Sequence, residues 1–135
     1  GLIQYERYSK MLAKRKTMIE KMNSAFADIN VAVLNHYDDK HMSSGHLYIV
    51  RLLGKTRGEA NEVIEKMAER GIATNVHYKP LPMMTAYKKL GFDIKDFPNA
   101  FRMFENEITL PLNTKMSMED VDYVIENFVD IVKSF

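Results

Sequence analysis

The segment Gly71-Ile-Ala-Thr-Asn-Val-His-Tyr-Lys-Pro-Leu-Pro82 contains the side chains of this chain that are best suited to chemistry. It follows a glycine that ends a helical pattern, and its alternation predicts a strand with two different faces. One predicted face carries Ile72, Thr74, Val76 and Tyr78, and the other carries Ala73, Asn75, His77 and Lys79. The prolines at the end forbid a ladder and predict a stiff, exposed exit. An amide and an imidazole beside such an exit favour a ligand cleft.

His77 is the candidate that the pattern favours most, although a structural role for it remains open. The other histidines are His36, His41 and His46, and no pair has the spacing of a helical metal site such as H-E-x-x-H. We interpret His46, at a predicted strand start, as structural. The sequence therefore predicts no metal centre.

No complete catalytic constellation is recognisable in the chain. Gly54-Lys-Thr56 resembles the end of a phosphate-binding loop, but the required upstream glycine is replaced by Ile49, and no G-x-G-x-x-G motif is present. No serine has a nucleophile-elbow context, and the carboxylates form no recognisable pair. The basic run Lys14-Arg15-Lys16 is interpreted as a solvated helix face.

The composition is that of one ordinary globular domain covering residues 1–135, with 46% apolar and 27% charged residues. A net charge of +1 gives no support to a nucleic-acid partner. The absence of cysteine fits a reducing compartment, so we expect a cytoplasmic protein. No apolar run approaches the roughly 18 residues of a membrane span, so no membrane partner is expected.

Helices and strands are predicted to alternate along the chain. The predicted helices cover 2–27, 57–70, 83–90 and 97–106, with a last helix after a capping box at Ser117-Met-Glu-Asp120. The predicted extended segments cover 28–37, 46–53, 71–82 and 107–112. Pro111 places the last of these at a sheet edge or terminus. The order indicates an α/β, α+β-like fold, with a small sheet of about three to four strands and helices packed mainly on one face.

Several strings resemble, in order, the C-terminal part of the DegT/DnrJ/StrS family. The string Gly71 to Leu81 carries the closest resemblance, with Gly1-Leu-Ile-Gln-Tyr-Glu-Arg at the start and Gly45-His-Leu-Tyr-Ile-Val-Arg51 in the middle. Leu90-Gly-Phe, Asp96-Phe-Pro-Asn-Ala100, Leu110-Pro-Leu112 and Met118-Glu-Asp-Val-Asp-Tyr-Val-Ile125 also fit. The resemblance covers essentially all 135 residues.

The resemblance implies the small C-terminal domain of a fold-type I, pyridoxal-phosphate (PLP)-dependent nucleotide-sugar aminotransferase, usually a homodimer. Such enzymes move an amino group from a donor such as glutamate to a keto-sugar nucleotide. The family's large domain, with its Schiff-base lysine, is expected upstream of Gly1, so no lysine here is assigned that role. The isolated chain is expected to be inactive and to bind no PLP.

By the same resemblance, His77 and Tyr78 match the family's substrate-side His-Tyr pair, and Asn75 precedes them. These three residues are the predicted substrate contacts. Where many members have histidine after Pro-Leu, this chain has Pro82. The resemblance therefore assigns no role in contacting the sugar or the amino donor to position 82.

An alternative remains: a stand-alone, non-catalytic α+β module that binds a small molecule or self-associates. The chain opens on Gly1 and enters a helical pattern without a cap residue, so we expect it to be cut from a longer chain. Removal of a large domain should expose apolar surface around Tyr5, Tyr8 and Met11 of the first helix. Self-association through that surface is therefore expected.

Overall fold

The computed structural model describes residues 2–135, which form five α-helices and three strands with two short 3₁₀ turns. In chain order the elements are α1 (Leu2–Phe26), β1 (Val31–Val33), β2 (Tyr48–Leu52), α2 (Arg57–Glu69), a 3₁₀ turn (Leu81–Met83), α3 (Thr85–Lys89), a second 3₁₀ turn (Ile94–Asp96), α4 (Pro98–Phe104), β3 (Glu107–Leu110) and α5 (Met118–Lys133).

The strands form one antiparallel sheet in the order β1-β2-β3. Side chains of the central strand alternate, so that Tyr48, Val50 and Leu52 are buried on the inner face while Ile49 and Arg51 are half-buried on the outer face. The register places Arg51 opposite Glu107 and Ile49 opposite Thr109. The outer face therefore has a polar border along β3, at the edge position that Pro111 predicted.

The three long helices α1, α2 and α5 supply the apolar side chains that cover the inner face. The buried residues are Met18, Ile19, Met22 and Phe26 of α1, Ala60, Val63 and Met67 of α2, and Val121, Val124, Phe128 and Ile131 of α5. Full burial of such a side chain contributes roughly 1.5–3 kcal/mol. The predicted fold class, with helices mainly on one face of a small sheet, is confirmed.

Caps fix where the main helices begin and end. The predicted box at Ser117 is present, because the Ser117 hydroxyl accepts the Asp120 N–H at 3.0 Å and the Asp120 carboxylate accepts the Ser117 N–H at 2.7 Å. An equivalent box, which the sequence reasoning missed, joins Thr56 and Glu59 at the start of α2. Gly71 follows α2 with φ of +73°, as predicted for a glycine that ends a helix.

The predicted strand over 71–82 is wrong, because only Asn75 pairs with the sheet. Its N–H donates to the Thr109 carbonyl at 3.1 Å and its carbonyl accepts the Thr109 N–H at 2.8 Å. Hydrogen-bonded pairs recur at every second residue of an antiparallel ladder, so His77 and Glu107 would form the next pair. Instead, the Glu107 carbonyl accepts from Arg57 Nη1 at 2.8 Å, and the His77 N–H donates to the Glu107 carboxylate at 3.1 Å. The ladder therefore stops after one pair.

Other boundaries differ by a few residues from those predicted. The helix expected over 83–90 is divided into the turn Leu81–Met83 and α3, and the strand expected over 107–112 ends at Leu110, before Pro111. A proline lacks the N–H that a ladder needs, which explains the earlier end. In the described part of the chain, no helix is both long and apolar enough to cross a bilayer.

Candidate functional site

A groove lies between the outer face of the sheet, helix α4 and the segment that ends at Tyr78. We call it the His77 groove, and it is lined by Ile49, Arg51, His77, Tyr78, Ala100, Met103, Phe104 and Glu107. Its volume of about 120 Å³ is below the roughly 300 Å³ at which ligand pockets begin. The groove can therefore hold one part of a ligand, such as a single ring, and leaves the remainder outside.

His77 is fixed against the edge of the sheet by both its backbone and its ring. Its N–H donates to the Glu107 carboxylate, and its ring Nδ1 lies 2.9 Å from the Thr109 hydroxyl oxygen. The Thr109 hydroxyl also donates to Glu107 Oε1 at 2.7 Å. The imidazole is half-buried, so one edge contacts protein and the other is available to the groove.

Glu107 is the buried acid of the site, with 4% of its surface exposed. A buried carboxylate is costly unless hydrogen bonds and nearby positive charge compensate. Here the His77 N–H and the Thr109 hydroxyl both donate to it, and the Arg57 guanidinium is close enough to interact electrostatically. These contacts compensate for the burial of the carboxylate next to His77 and Thr109.

Arg57 supports this arrangement from the first turn of α2. Its Nη1 donates to the carbonyls of Phe104 at 3.0 Å and Glu107 at 2.8 Å, which ties the end of α4 to the start of β3. Burial lowers the pKa of the Arg57 guanidinium, and the neighbouring Glu107 charge opposes that shift.

Arg51 brings its guanidinium to the groove and joins α4 to the sheet. Its Nε donates to the Asn106 side-chain oxygen at 3.0 Å, and its Nη2 donates to the Arg102 carbonyl at 3.0 Å. These bonds hold one wall of the groove in place.

Two of the three predicted site residues line the groove together. Tyr78 is 73% exposed, so its predicted place on the core face beside Ile72 is wrong. Its ring meets the His77 ring edge to face, with 4.7 Å between the centroids. The side chain of Asn75 does not line the groove, since its Oδ1 accepts the Val76 N–H at 2.8 Å. The structure thus places His77 and Tyr78 in the groove lining. Asn75 lies two residues before His77 and pairs through its backbone with Thr109.

Glu107, Thr109 and Arg57 were missed by the sequence reasoning. Glu107 and Thr109 stand two residues apart in a predicted strand, so their shared face and polar character were available as a signal. Arg57 offered none, because its contacts join residues 47 and 50 positions away. No group of three residues among His, Asp and Glu that could hold a metal ion occurs within residues 2–135.

Comparison with known proteins gives matches along almost the whole chain. The model of the DegT/DnrJ/EryC1/StrS aminotransferase family matches residues 1–129. The spore coat polysaccharide biosynthesis protein SpsC of Bacillus subtilis is 33% identical over 138 residues, covering 98% of this chain and 35% of SpsC. A UDP-4-amino-4,6-dideoxy-N-acetyl-beta-L-altrosamine transaminase of Campylobacter jejuni is 27% identical, with the same two coverages.

Solved structures give a similar result. Spr1654 of Streptococcus pneumoniae, described as a sugar aminotransferase and solved in apo, PLP and PMP forms, is 48% identical with a TM-score of 0.96. PseC of Helicobacter pylori, an aminotransferase of pseudoaminic acid biosynthesis, is 25% identical with a TM-score of 0.87. The match covers 99% of this chain and 34% of Spr1654, so the chain spans about a third of the length of these relatives.

Proposed function

Because this chain belongs to the DegT/DnrJ/EryC1/StrS aminotransferase family, we propose that it forms the substrate-side wall of a PLP-dependent sugar aminotransferase. The activity would be transfer of an amino group from an amino acid such as glutamate to a keto-sugar nucleotide. The remaining two-thirds of such an enzyme would supply the cofactor site.

One observation carries the proposal most strongly. A superposition that covers 99% of this chain gives a TM-score of 0.96 against part of a 48%-identical protein that has been solved with PLP and with PMP. A match of this quality covers the order and the arrangement of the helices and strands. The transaminase from Campylobacter jejuni, which is named for a UDP-sugar, supports a nucleotide sugar as the substrate class.

The residues that line the His77 groove do not by themselves fit PLP. The cofactor needs a lysine amine, a site for its phosphate and a carboxylate facing its ring nitrogen. No lysine lines the His77 groove, and the buried carboxylate of Glu107 is already bonded to His77 and Thr109. We therefore assign the Schiff-base lysine to a large domain outside this chain, and we derive no chemical step through the cofactor.

In this proposal, His77 and Tyr78 contact the sugar end of the substrate. A half-buried imidazole and an exposed phenol side by side offer polar atoms at the rim of an apolar recess, which is the usual pattern of a small-molecule site. Asn75 is proposed as an outer contact, through the amide nitrogen that its local hydrogen bond leaves available. Closure of this wall over a substrate would also exclude water from the reacting centre.

Homodimer formation and a cytoplasmic location remain predictions of the family resemblance and the composition. The alternative, a stand-alone module that binds a small molecule or self-associates, differs in that it would need no further domain.

The proposal predicts that the 135-residue chain alone neither binds PLP covalently nor transaminates. PLP would be added to the purified chain, the mixture reduced with borohydride, and the intact mass measured, with a free exposed lysine peptide as a control for non-specific reduction. We expect no stoichiometric adduct and no new absorbance band. A stable adduct on one lysine of this chain would show that the cofactor lysine has been assigned to the wrong part of the enzyme.

A further inference from the structure

We propose that Glu107 and Thr109 are positioning residues that hold the neutral His77 ring with its proton on Nδ1, so that Nε2 presents a lone pair to the groove. The three side chains form a short chain of hydrogen bonds. Glu107 Oε1 and the Thr109 hydroxyl are 2.7 Å apart, and the Thr109 hydroxyl and His77 Nδ1 are 2.9 Å apart.

The direction of these bonds follows from counting protons. A threonine hydroxyl has one proton to donate, and an ionised carboxylate can only accept. Thr109 therefore donates its proton to Glu107 and must accept the proton of His77 Nδ1. A neutral imidazole has one N–H, so Nε2 is left as an acceptor.

Burial protects the order of donors and acceptors, from His77 Nδ1 to Thr109 and from Thr109 to Glu107, against exchange with water. Thr109 and Glu107 expose only 5% and 4% of their surface, so water competes weakly for either group. The Glu107 carboxylate also accepts the backbone N–H of His77 at 3.1 Å, which ties the position of the residue to the same acid that orders its ring. Hydrogen bonds in such a shielded setting are stronger than in water.

The position of the proton determines which ligand groups can bind to His77 in the groove. An Nε2 lone pair accepts a hydrogen bond from a ligand O–H or N–H and repels a carbonyl or phosphate oxygen. Resting on the proposed function, this assigns His77 to a hydroxyl or amide N–H of the sugar and excludes contact with its phosphates.

The test is the tautomer of His77, read from the ring nitrogens by ¹⁵N NMR on the labelled 135-residue chain at pH 8 without ligand. We expect a protonated-type signal for Nδ1 and an unprotonated-type signal for Nε2. The opposite assignment in the unsubstituted chain would overturn the proposal, whatever the chain binds. Because no ligand is present, failure of the proposed function leaves this result unchanged.

Substitutions at Thr109 test the role of its hydroxyl. Thr109→Ser keeps the oxygen and should keep the Nδ1–H form, whereas Thr109→Val removes it and should move His77 towards the Nε2–H form. The ring signal of His36, which is buried, serves as the internal control of folding. If Thr109→Val leaves the His77 signals unchanged in a folded chain, or if Thr109→Ser shifts them as Val does, the proposed positioning role is wrong.

Discussion

The backbone carbonyl and the side-chain carboxylate of Glu107 both take part in stopping the pairing between β3 and the segment 71–82. The carbonyl is held by Arg57 and the carboxylate takes the next N–H of the facing segment. That N–H belongs to His77, which leaves the sheet and turns to the groove. One buried acid thus determines where the strand pairing stops and where the candidate ligand contact begins.

The buried residue His36 predicts how the stability of the folded chain depends on pH. His36 is 2% exposed, its Nδ1 lies 3.0 Å from the Ser43 hydroxyl, and its Nε2 has no partner within residues 2–135. Burial lowers the pKa of His36, so the folded chain prefers the neutral ring. The unfolded chain binds the proton first as the pH falls, and stability is therefore full above the ordinary histidine pKa of about 6.5 and is lost below it.

We expect the melting temperature to fall between pH 7.5 and pH 5, and we expect His36→Gln to flatten that fall. Thermal unfolding followed by circular dichroism at several pH values measures the effect. His46→Gln is the matched control, because His46 is exposed and its replacement should leave the slope unchanged. Equal slopes for the unsubstituted chain and His36→Gln would refute the assignment to His36.

At the scale of elements, one glycine allows the loop before β2 to approach α1. Gly45 is buried with φ of +60°, and a Cβ atom there would lie 2.9 Å from Ile19 Cδ1 and 3.2 Å from Arg15 Cβ. Arg15 Nη1 also donates to the Ser44 carbonyl at 3.2 Å, so the loop and the helix are joined at the same point. This contact sets the entry of the chain into the central strand.

Gly45→Ala should lower the free energy of unfolding by about 2 kcal/mol or more. A left-handed backbone conformation costs roughly 1–2 kcal/mol for a residue with a side chain, and displacement of Ile19 adds to this cost. Gly54→Ala is the control, since φ there is +74° but no atom lies within 4 Å of the added Cβ. Urea unfolding of the two variants compares them, and an equal loss of stability would mean that the close approach to α1 has no cost.

The elements differ in how far the sequence could predict them. Helices α2 and α5 follow from apolar residues at helical spacing and from local caps such as Ser117, because every signal lies within a few residues. The failed strand over 71–82 depends on the Arg57 and Glu107 side chains, at sequence separations of up to 50 residues, which no local pattern records. For the site, His77 could be found from its alternation and its prolines. Its orientation could not, because Thr109 acts on it from 32 positions away.

At the scale of the whole molecule, the first turns of α1 carry apolar side chains with no cover inside the described chain. Leu2 is 81% exposed, Tyr5 is 77% exposed and Tyr8 is 43% exposed, whereas the second half of the same helix is packed in the core. A contiguous exposed apolar surface favours association. We therefore keep the prediction that the isolated chain self-associates through the start of α1.

Sedimentation velocity across a range of protein concentrations measures this, and Leu2→Ser with Tyr5→Ser should shift the distribution towards monomer. Met42→Ser is the control, because Met42 is 82% exposed but lies in the loop before β2. A strictly monomeric profile of the unsubstituted chain at high concentration would refute the prediction.

The central proposal is that this chain, about a third of the length of its relatives, forms the substrate-side wall of a sugar aminotransferase. Domain exchange tests it most directly. Residues 1–135 would replace the matching segment of Spr1654, which is 48% identical and known in both PLP and PMP forms. Conversion of bound PLP to PMP on adding an amino donor would be followed by absorbance, with the unsubstituted pneumococcal protein as reference. We expect a rate within about tenfold of that reference, equivalent to roughly 1.4 kcal/mol in the barrier. A folded, PLP-loaded chimera that shows no conversion would contradict the claim.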